Sequence, residues 1–404
     1  MSDGKSVAII IDDLTEFYGI RDAIDNLIRN NIDVDLYIPR NYSDELKENT
    51  LKTILQLGYT AYSEFDAKKR YKILLEPYPI ADDGELNFEF RIKYRYAPVS
   101  VKPNPVCSPE WNLPYDAFIV YNKKDADIFS VYGRVYIVPY SKFFEFKKIN
   151  NRGKPNLLYL PTFGDISSIN DIDQQTVAQL KQEYNVIIKA HHAVQYRQDE
   201  RENYYKLKKL ADEFYDSDTP LVNLLAKSDV VLSDNSSAVF DAIYSETPVA
   251  IFSDRQKLNQ RRLGNINTFQ YELVSKGVIP CATKSAQIMR VLDQAIEKLP
   301  EQNKIKYDTF VFDEDNSSSH FVTVIKEYLS KDRRNSLHDA SKDILLNSWK
   351  SVYASANEVK GLRSKAERLE QEVGRVTSRY EDSASWRITK PLRKVKYLIG
   401  KIGK

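Results

Sequence analysis

Cysteine is nearly absent: only Cys107 and Cys281 occur, far apart in the chain. No disulfide framework or thiolate metal site can be read from that pair, and such sparse use fits a reducing compartment. Long apolar runs are missing too. No stretch approaches the roughly 20 residues that span a bilayer. The opening MSDGKSVAIIIDDL has no basic segment ahead of its short apolar run, so it does not read as a secretion signal. The net charge of +2 leaves no global footprint for nucleic acid. Glycine is scarce at 13 residues, and none of the four histidines precedes His191. The expectation is a cytoplasmic protein, peripheral at the inner face of the cytoplasmic membrane.

What is present is ample material for a core. Of 404 residues, 42% are hydrophobic and 29% charged, and the length suits two or three domains. Tyrosine is common at 27. Its rings stack on sugars and bases, although amphipathic packing is the better account of any single one.

VAIIID, a helical pattern (Ile20, Ala23, Ile24, Leu27, Ile28) and VDLYIP form a βαβ opening, hence a parallel sheet. YKILLEPYP, YDAFIVYN and GRVYIVPY read as further strands. Four prolines in residues 102–116 predict a rigid loop without regular structure. After the polar connector KKINNRGKPN, strands and helices alternate again: LLYLPTFGD, NVIIKAHH, DVVLSDNSS and PVAIF. The expected fold is α/β, two Rossmann-like domains facing a cleft in the GT-B manner, with a C-terminal helical extension. The expected divisions are 1–150, an acceptor-side domain; 151–335, a donor-binding domain; and 336–404.

The last part changes texture. Leu345, Trp349, Val352, Ala356 and Val359 keep a 3,4 spacing, which resumes after a slip at Gly361. This predicts a coiled coil or long amphipathic helix, for self-association or for attachment to fused transferase modules. Residues 385–404 carry seven Lys and Arg and no acid, interleaved with Trp386, Leu392, Val395, Leu398 and Ile399. Such a tail suits an anionic membrane surface; the plainer alternative is a solvated tail or a linker.

Three strand ends concentrate chemistry. In residues 230–252, VVLSDNSSAVFDAIYSETPVAIF, a strand ends at Ser233 and a helix follows. Asp234 or Asn235 is expected to cap that helix, with Ser236 and Ser237 in its first turn, beside free N–H groups that attract a phosphate. Asp234 is either an ordinary cap or a group that works on the substrate. In IIKAHHAVQYR, Lys189, His191 and His192 sit at a strand end near Arg197. Histidine is an acid/base and phosphate partner, and neighbouring strand residues point to opposite faces, so one of the pair faces the cleft. In LPTFGD, Thr162 and Gly164 allow close approach of backbone to a ligand and Asp165 offers a hydroxyl partner, although a plain loop explains the segment as well. No cofactor and no metal are expected. The NDID segment at 170–173 lies at a helix start, and phosphate charge can be met by basic side chains and helix N-termini.

Over about residues 155–255, YLPTFGD, IIKAHH and SDVVLSDNSSAVFDAIYSETPVAIF resemble, in order and spacing, the CDP-glycerol glycerophosphotransferase-like proteins. That resemblance implies that residues 161–163, Lys189, His191 and 233–237 surround a cytidine nucleotide, and it favours His191 over His192. The chain departs from the pattern in lacking the His-Gly-Thr-Pro segment that supplies a base in the N-terminal domain. The architecture also resembles the bacterial retaining β-Kdo transferases of capsule and O-antigen assembly. That likeness implies transfer of Kdo from CMP-β-Kdo to a saccharide acceptor, lipid-linked, with Asp234 as the nucleophile that carries the sugar. Lys189 and His191 then hold phosphate or assist the leaving group. Ser233, Asn235, Ser236 and Ser237 bind the anion, and Glu110 or Asp165 is the acceptor base. The alternatives are a CDP-glycerol or ribitol phosphotransferase of teichoic-acid-like polymers, and a non-catalytic assembly module at the membrane.

Overall fold

The computed structural model describes residues 6–331 apart from 40–43, 67, 80–85, 96, 99–100, 145, 192, 195–198, 217 and 313–316. The chain divides into two compact units, Met1–Lys342 and Asp343–Lys404, and all described elements belong to the first. The expected coiled coil and basic tail lie outside the described residues, as do His192 and Arg197.

Two parallel sheets form the first unit. One holds β1 (Ser6–Ile10), β2 (Asp33–Tyr37), β3 (Ala61–Tyr62), β4 (Arg70–Glu76), β5 (Asn87–Tyr94), β6 (Ala117–Val120) and β7 (Arg134–Ile137), in the order β3-β2-β1-β4-β5-β6-β7. The other holds β8 (Asn156–Leu160), β9 (Asn185–Lys189), β10 (Glu213–Tyr215), β11 (Val230–Ser233), β12 (Val249–Phe252) and β13 (Cys281–Ala282), in the order β10-β9-β8-β11-β12-β13. Every ladder is parallel. Strand order reverses between β1 and β4 in one sheet and between β8 and β11 in the other. Helices cover both faces of such sheets, so the inner strands read as near-continuous apolar runs; VVLS and VAIF are buried throughout.

The helix Leu14–Arg29 shows why these segments fold as they do. Asp13 accepts the Glu16 amide at 3.0 Å and caps it. Leu14, Phe17, Ile20, Ala23, Ile24 and Leu27 form one buried stripe, each larger side chain contributing about 1.5–3 kcal/mol. The last described helix, Ser317–Leu329, returns to the first sheet. There Tyr328 lies 5.2 Å from Phe90 of β5, and Glu327 accepts from the Tyr136 hydroxyl of β7 at 2.9 Å.

Strand β5 had no counterpart in the strand reading, although Phe88, Phe90, Ile92 and Tyr94 alternate with polar residues that include two cations, Arg91 and Lys93. Both are nevertheless buried. Arg91 Nε pairs with Glu76 of β4, and Lys93 Nζ donates to Asn112 Oδ1 at 2.6 Å and to the Val106 carbonyl at 3.2 Å. The proline-rich segment holds two short helical turns, Pro103–Val106 and Pro109–Trp111, where irregular chain was expected. Proline is tolerated in a first turn, where its missing N–H has no partner to lose.

Candidate functional site

A cavity of about 560 Å³ lies between the two sheets. Its walls are built from the residues that follow strand ends. From the first sheet come Asp12, Asp13 and Glu16 after β1, Tyr78 after β4, Arg95 and Lys102 after β5, and Lys142 after β7. From the second come residues 160–163 at β8, 189–191 at β9, 219–222 after β10, and Ser236, Ser237, Ala238 and Asp241 after β11. The carboxyl ends of both sheets thus meet at their switch points, where open α/β sheets bind ligands.

Of the residues singled out in the sequence, Thr162, Lys189, His191, Ser236 and Ser237 line this cavity. Lys189 is the last residue of β9; its ammonium donates to the Asp216 carbonyl, and burial pulls its pKa down to about 8 against the opposing charges of Asp216, Asp218 and Asp13. His191 follows directly. Its Nδ1 accepts the Ala193 amide at 3.2 Å, which places the ring proton on Nε2 in the neutral form. The ring sits 4.3 Å from that of Phe163.

The corner after β11 differs from expectation. The helix Ala238–Tyr244 begins after Ser237, whose side chain makes no cap, and the Ser236 hydroxyl accepts the Ala238 amide at 3.3 Å. Asp234 is wholly buried and is absent from the cavity wall. Its two oxygens each lie 3.0 Å from the Thr162 amide, and Oδ2 also accepts from the Ser168 amide and hydroxyl at 2.9 Å each. The acid expected to carry a sugar instead ties the loop after β8 to the tip of β11. Burial raises its pKa to about 6, opposed by those hydrogen bonds and by the Lys102 charge. Ser233 donates to the Leu160 carbonyl at 3.0 Å, and Asn235 donates to the Lys257 carbonyl at 2.9 Å. Both are buried away from the cavity, so neither is placed to bind the anion directly.

Gly164 has φ of +77°, opening a turn that only glycine adopts without strain, and its amide donates to Glu200 at 2.9 Å. It serves the turn rather than the cavity wall. Asp165 is exposed and lies off that wall, and the Glu110 side chain is outside the described residues. In the NDID segment, Asp173 caps the helix Gln174–Glu183 and Asp171 pairs with Lys257 at 2.7 Å. Among the described residues no three His, Cys, Asp or Glu are grouped to hold a metal.

Sequence reasoning missed the first-sheet wall. The signal at its centre was legible: Asp13 and Glu16 have capping-box spacing directly after a strand. Lys102 had no such signal, standing amid prolines. Its ammonium lies 3.4 Å from the Thr162 hydroxyl, and burial lowers its pKa to about 8, with Asp234 opposing. Lys142 pairs with Asp241 at 2.6 Å, and the Tyr140 hydroxyl donates to the same carboxylate at 2.8 Å. Arg95 donates to the Pro77 carbonyl at 3.1 Å and to the Tyr78 hydroxyl at 3.2 Å. Four carboxylates (Asp12, Asp13, Glu16, Asp241) and four cations (Arg95, Lys102, Lys142, Lys189) therefore share the lining.

Residues 147–327 match the CDP-Glycerol:Poly(glycerophosphate) glycerophosphotransferase family. The matched segment contains the whole second-sheet wall, while the first-sheet wall lies outside it. A curated relative, the teichoic acid glycerol-phosphate primase of Bacillus subtilis (strain 168), is 29% identical over 126 residues, which are 30% of this chain and 31% of that protein. The chain thus matches about a third of that relative's length. Among solved structures, the wall teichoic acid polymerase TagF superposes with a TM-score of 0.53 at 14% identity, covering 81% of this chain and 89% of that one. The S. aureus MnaA–UDP structure superposes with a TM-score of 0.54 at 13% identity, covering 82% and 99%. These likenesses show the fold, GT-B-like with parallel sheets. The named family and curated relative are glycerophosphate proteins, not Kdo transferases.

Proposed function

We propose that the protein transfers glycerol phosphate, or a related polyol phosphate, from a cytidine-diphosphate-activated donor to a hydroxyl of an acceptor polymer. The observation that carries this reading is the cavity wall formed by Lys189, His191, Ser236 and Ser237, which lies entirely within the glycerophosphotransferase segment. In this reading Lys189 and Lys102 meet the charge of the diphosphate, the two serines add uncharged donors, and His191 presents an Nε2 proton to the departing nucleotide phosphate. Charge-assisted hydrogen bonds of this kind strengthen as negative charge collects on the leaving group.

Kdo transfer is the weaker alternative. It was assigned to a covalent Asp234 adduct, and that carboxylate is spent on four hydrogen bonds away from the cavity. The acceptor is read as lipid-linked, with the basic residues of 385–404 holding the protein at an anionic membrane. Among the described residues no helix is long and apolar enough to cross a membrane.

Labelled CDP-glycerol and CMP-Kdo, each offered with a polyol-phosphate or saccharide acceptor, test the reading. Release of CMP with labelled polymer from CDP-glycerol is the expected result. Transfer from CMP-Kdo alone would reverse the assignment, and failure of CMP to bind at millimolar concentration would leave a non-catalytic module.

A further inference from the structure

The proposed transfer needs a group that removes the acceptor proton, and the usual residue for it is missing: no histidine precedes His191. The first-sheet wall supplies a carboxylate instead. Glu16 stands in the first turn of the helix Leu14–Arg29, lines the cavity and is only 2% exposed. Its Oε2 accepts the Asp12 amide at 2.8 Å, while no protein hydrogen bond reaches Oε1 among the described residues. One oxygen is thus pinned and the other is left for a ligand. Two other carboxylates of the wall differ, since Asp241 holds Lys142 and Tyr140 and Asp13 caps the Glu16 amide, while Asp12, the third, gives its own amide to Glu16. The tip of β1 also stands within electrostatic reach of the opposite wall, since the Asp13 charge acts on Lys189.

We propose that Glu16 is the general base that takes the proton of the acceptor hydroxyl, a role that rests on the transfer reaction set out above. The hydroxyl proton passes to Oε1 as the acceptor oxygen bonds to the donor's β-phosphorus. The bond from that phosphorus to the bridging oxygen breaks, and its electron pair leaves with CMP beside Lys189 and His191. No redox partner or metal enters the balance. The surroundings favour proton uptake by this carboxylate, as a general base requires. Burial, then Asp12 and Asp13, raise the Glu16 pKa well above the ordinary carboxylate value, against the Asp12 amide and Arg95, and the Tyr94 phenol is the neighbouring titratable group from β5.

A cap for the helix would explain the Asp12 hydrogen bond alone, so the test separates the two roles. Glu16→Gln keeps an oxygen for the Asp12 amide but cannot hold a proton. The expected result is kcat for CDP-glycerol transfer lowered by about 10²- to 10⁴-fold, with CMP affinity and melting temperature unchanged. The acidic limb of the pH–kcat profile, present in the wild type, disappears. Formate added to Glu16→Ala restores part of the rate, which a purely structural role would not allow. Wild-type transfer with Glu16→Gln active to within about threefold, or a loss that follows melting temperature and is not rescued, overturns the role of Glu16 alone. A wild type inert toward CDP-glycerol overturns the transfer reading and this one with it.

Discussion

Asp234 holds Thr162: both carboxylate oxygens lie 3.0 Å from its amide nitrogen, across the two strands at which the second sheet reverses its order. Ser168 adds an amide and a hydroxyl at 2.9 Å each. An acid so placed fixes the wall of the cavity from behind.

Asp234→Asn therefore turns a donor towards amides that need an acceptor. Leaving a buried network part-satisfied costs about 2–4 kcal/mol, visible as a lower urea midpoint at unchanged slope. An undiminished midpoint together with complete loss of transfer would restore the nucleophile reading. The charged state itself opposes folding, because the folded pKa of about 6 lies above the usual value. Between about pH 4 and 6 the native state binds more protons than the unfolded one, so this group lowers stability as pH rises through that window. A substitution that removes the carboxylate should remove that slope.

Lys102 and Lys189 both face the cavity with pKa values drawn down to about 8 by burial. Each is cationic below that value and neutral above it. CMP binding should weaken by about 10- to 100-fold between pH 7 and 9 as the two charges are lost. Calorimetry across that range checks it, and Lys189→Met should remove part of the dependence. A flat dissociation constant would show that neither ammonium meets the phosphate.

Asp241 joins the segment after β7 to the helix after β11 through Lys142 at 2.6 Å and Tyr140 at 2.8 Å. Asp241→Ala strands a nearly buried ammonium and should cost about 3–5 kcal/mol. Equilibrium unfolding measures it; Asp241→Ala with Lys142→Met together should recover much of the loss, and failure of that recovery would place the cost elsewhere.

Lys93 reaches from β5 to Asn112 at 2.6 Å and the Val106 carbonyl at 3.2 Å, holding the proline-rich segment whose Val106 and Trp111 line the cavity. Burial pulls its pKa well below the usual lysine value. Lys93→Met leaves Asn112 Oδ1 without its donor, while the Val106 carbonyl keeps the Asn112 amide at 2.9 Å, and should destabilise by about 1–3 kcal/mol. KM for the acceptor should rise while the dissociation constant for CMP stays unchanged. Equal losses on both sides would mean the segment does not belong to the acceptor wall alone.

How much was legible in the sequence differs from element to element. Residues 230–252 announced a strand, a polar corner, a helix and a strand, because apolar runs bounded by polar corners are a local signal. Strand β5 carried a legible alternation of Phe88, Phe90, Ile92 and Tyr94 with polar residues that went unread; what its pattern could not state is that Arg91 and Lys93 are buried, supported by Glu76 and Asn112, which no local window contains. Ser236, Ser237, Lys189, His191 and Thr162 were each placed at a strand end by the sequence and around one nucleotide by the resemblance to the glycerophosphotransferase-like proteins, and the fold brings them to one cavity. The first-sheet wall was not read, since nothing in residues 12–16 states what lies opposite.

The sequence by itself determined the alternation of strands and helices, the two parallel sheets and the polar strand ends, because side-chain periodicity and turn chemistry act within a few residues. Tertiary structure alone decided that Asp234 turns towards the loop after β8 while Glu16 turns towards the cavity. A carboxylate's direction is set by which donors the packed chain places around it: four hydrogen bonds drew one inward, and among the described residues a single amide holds the other.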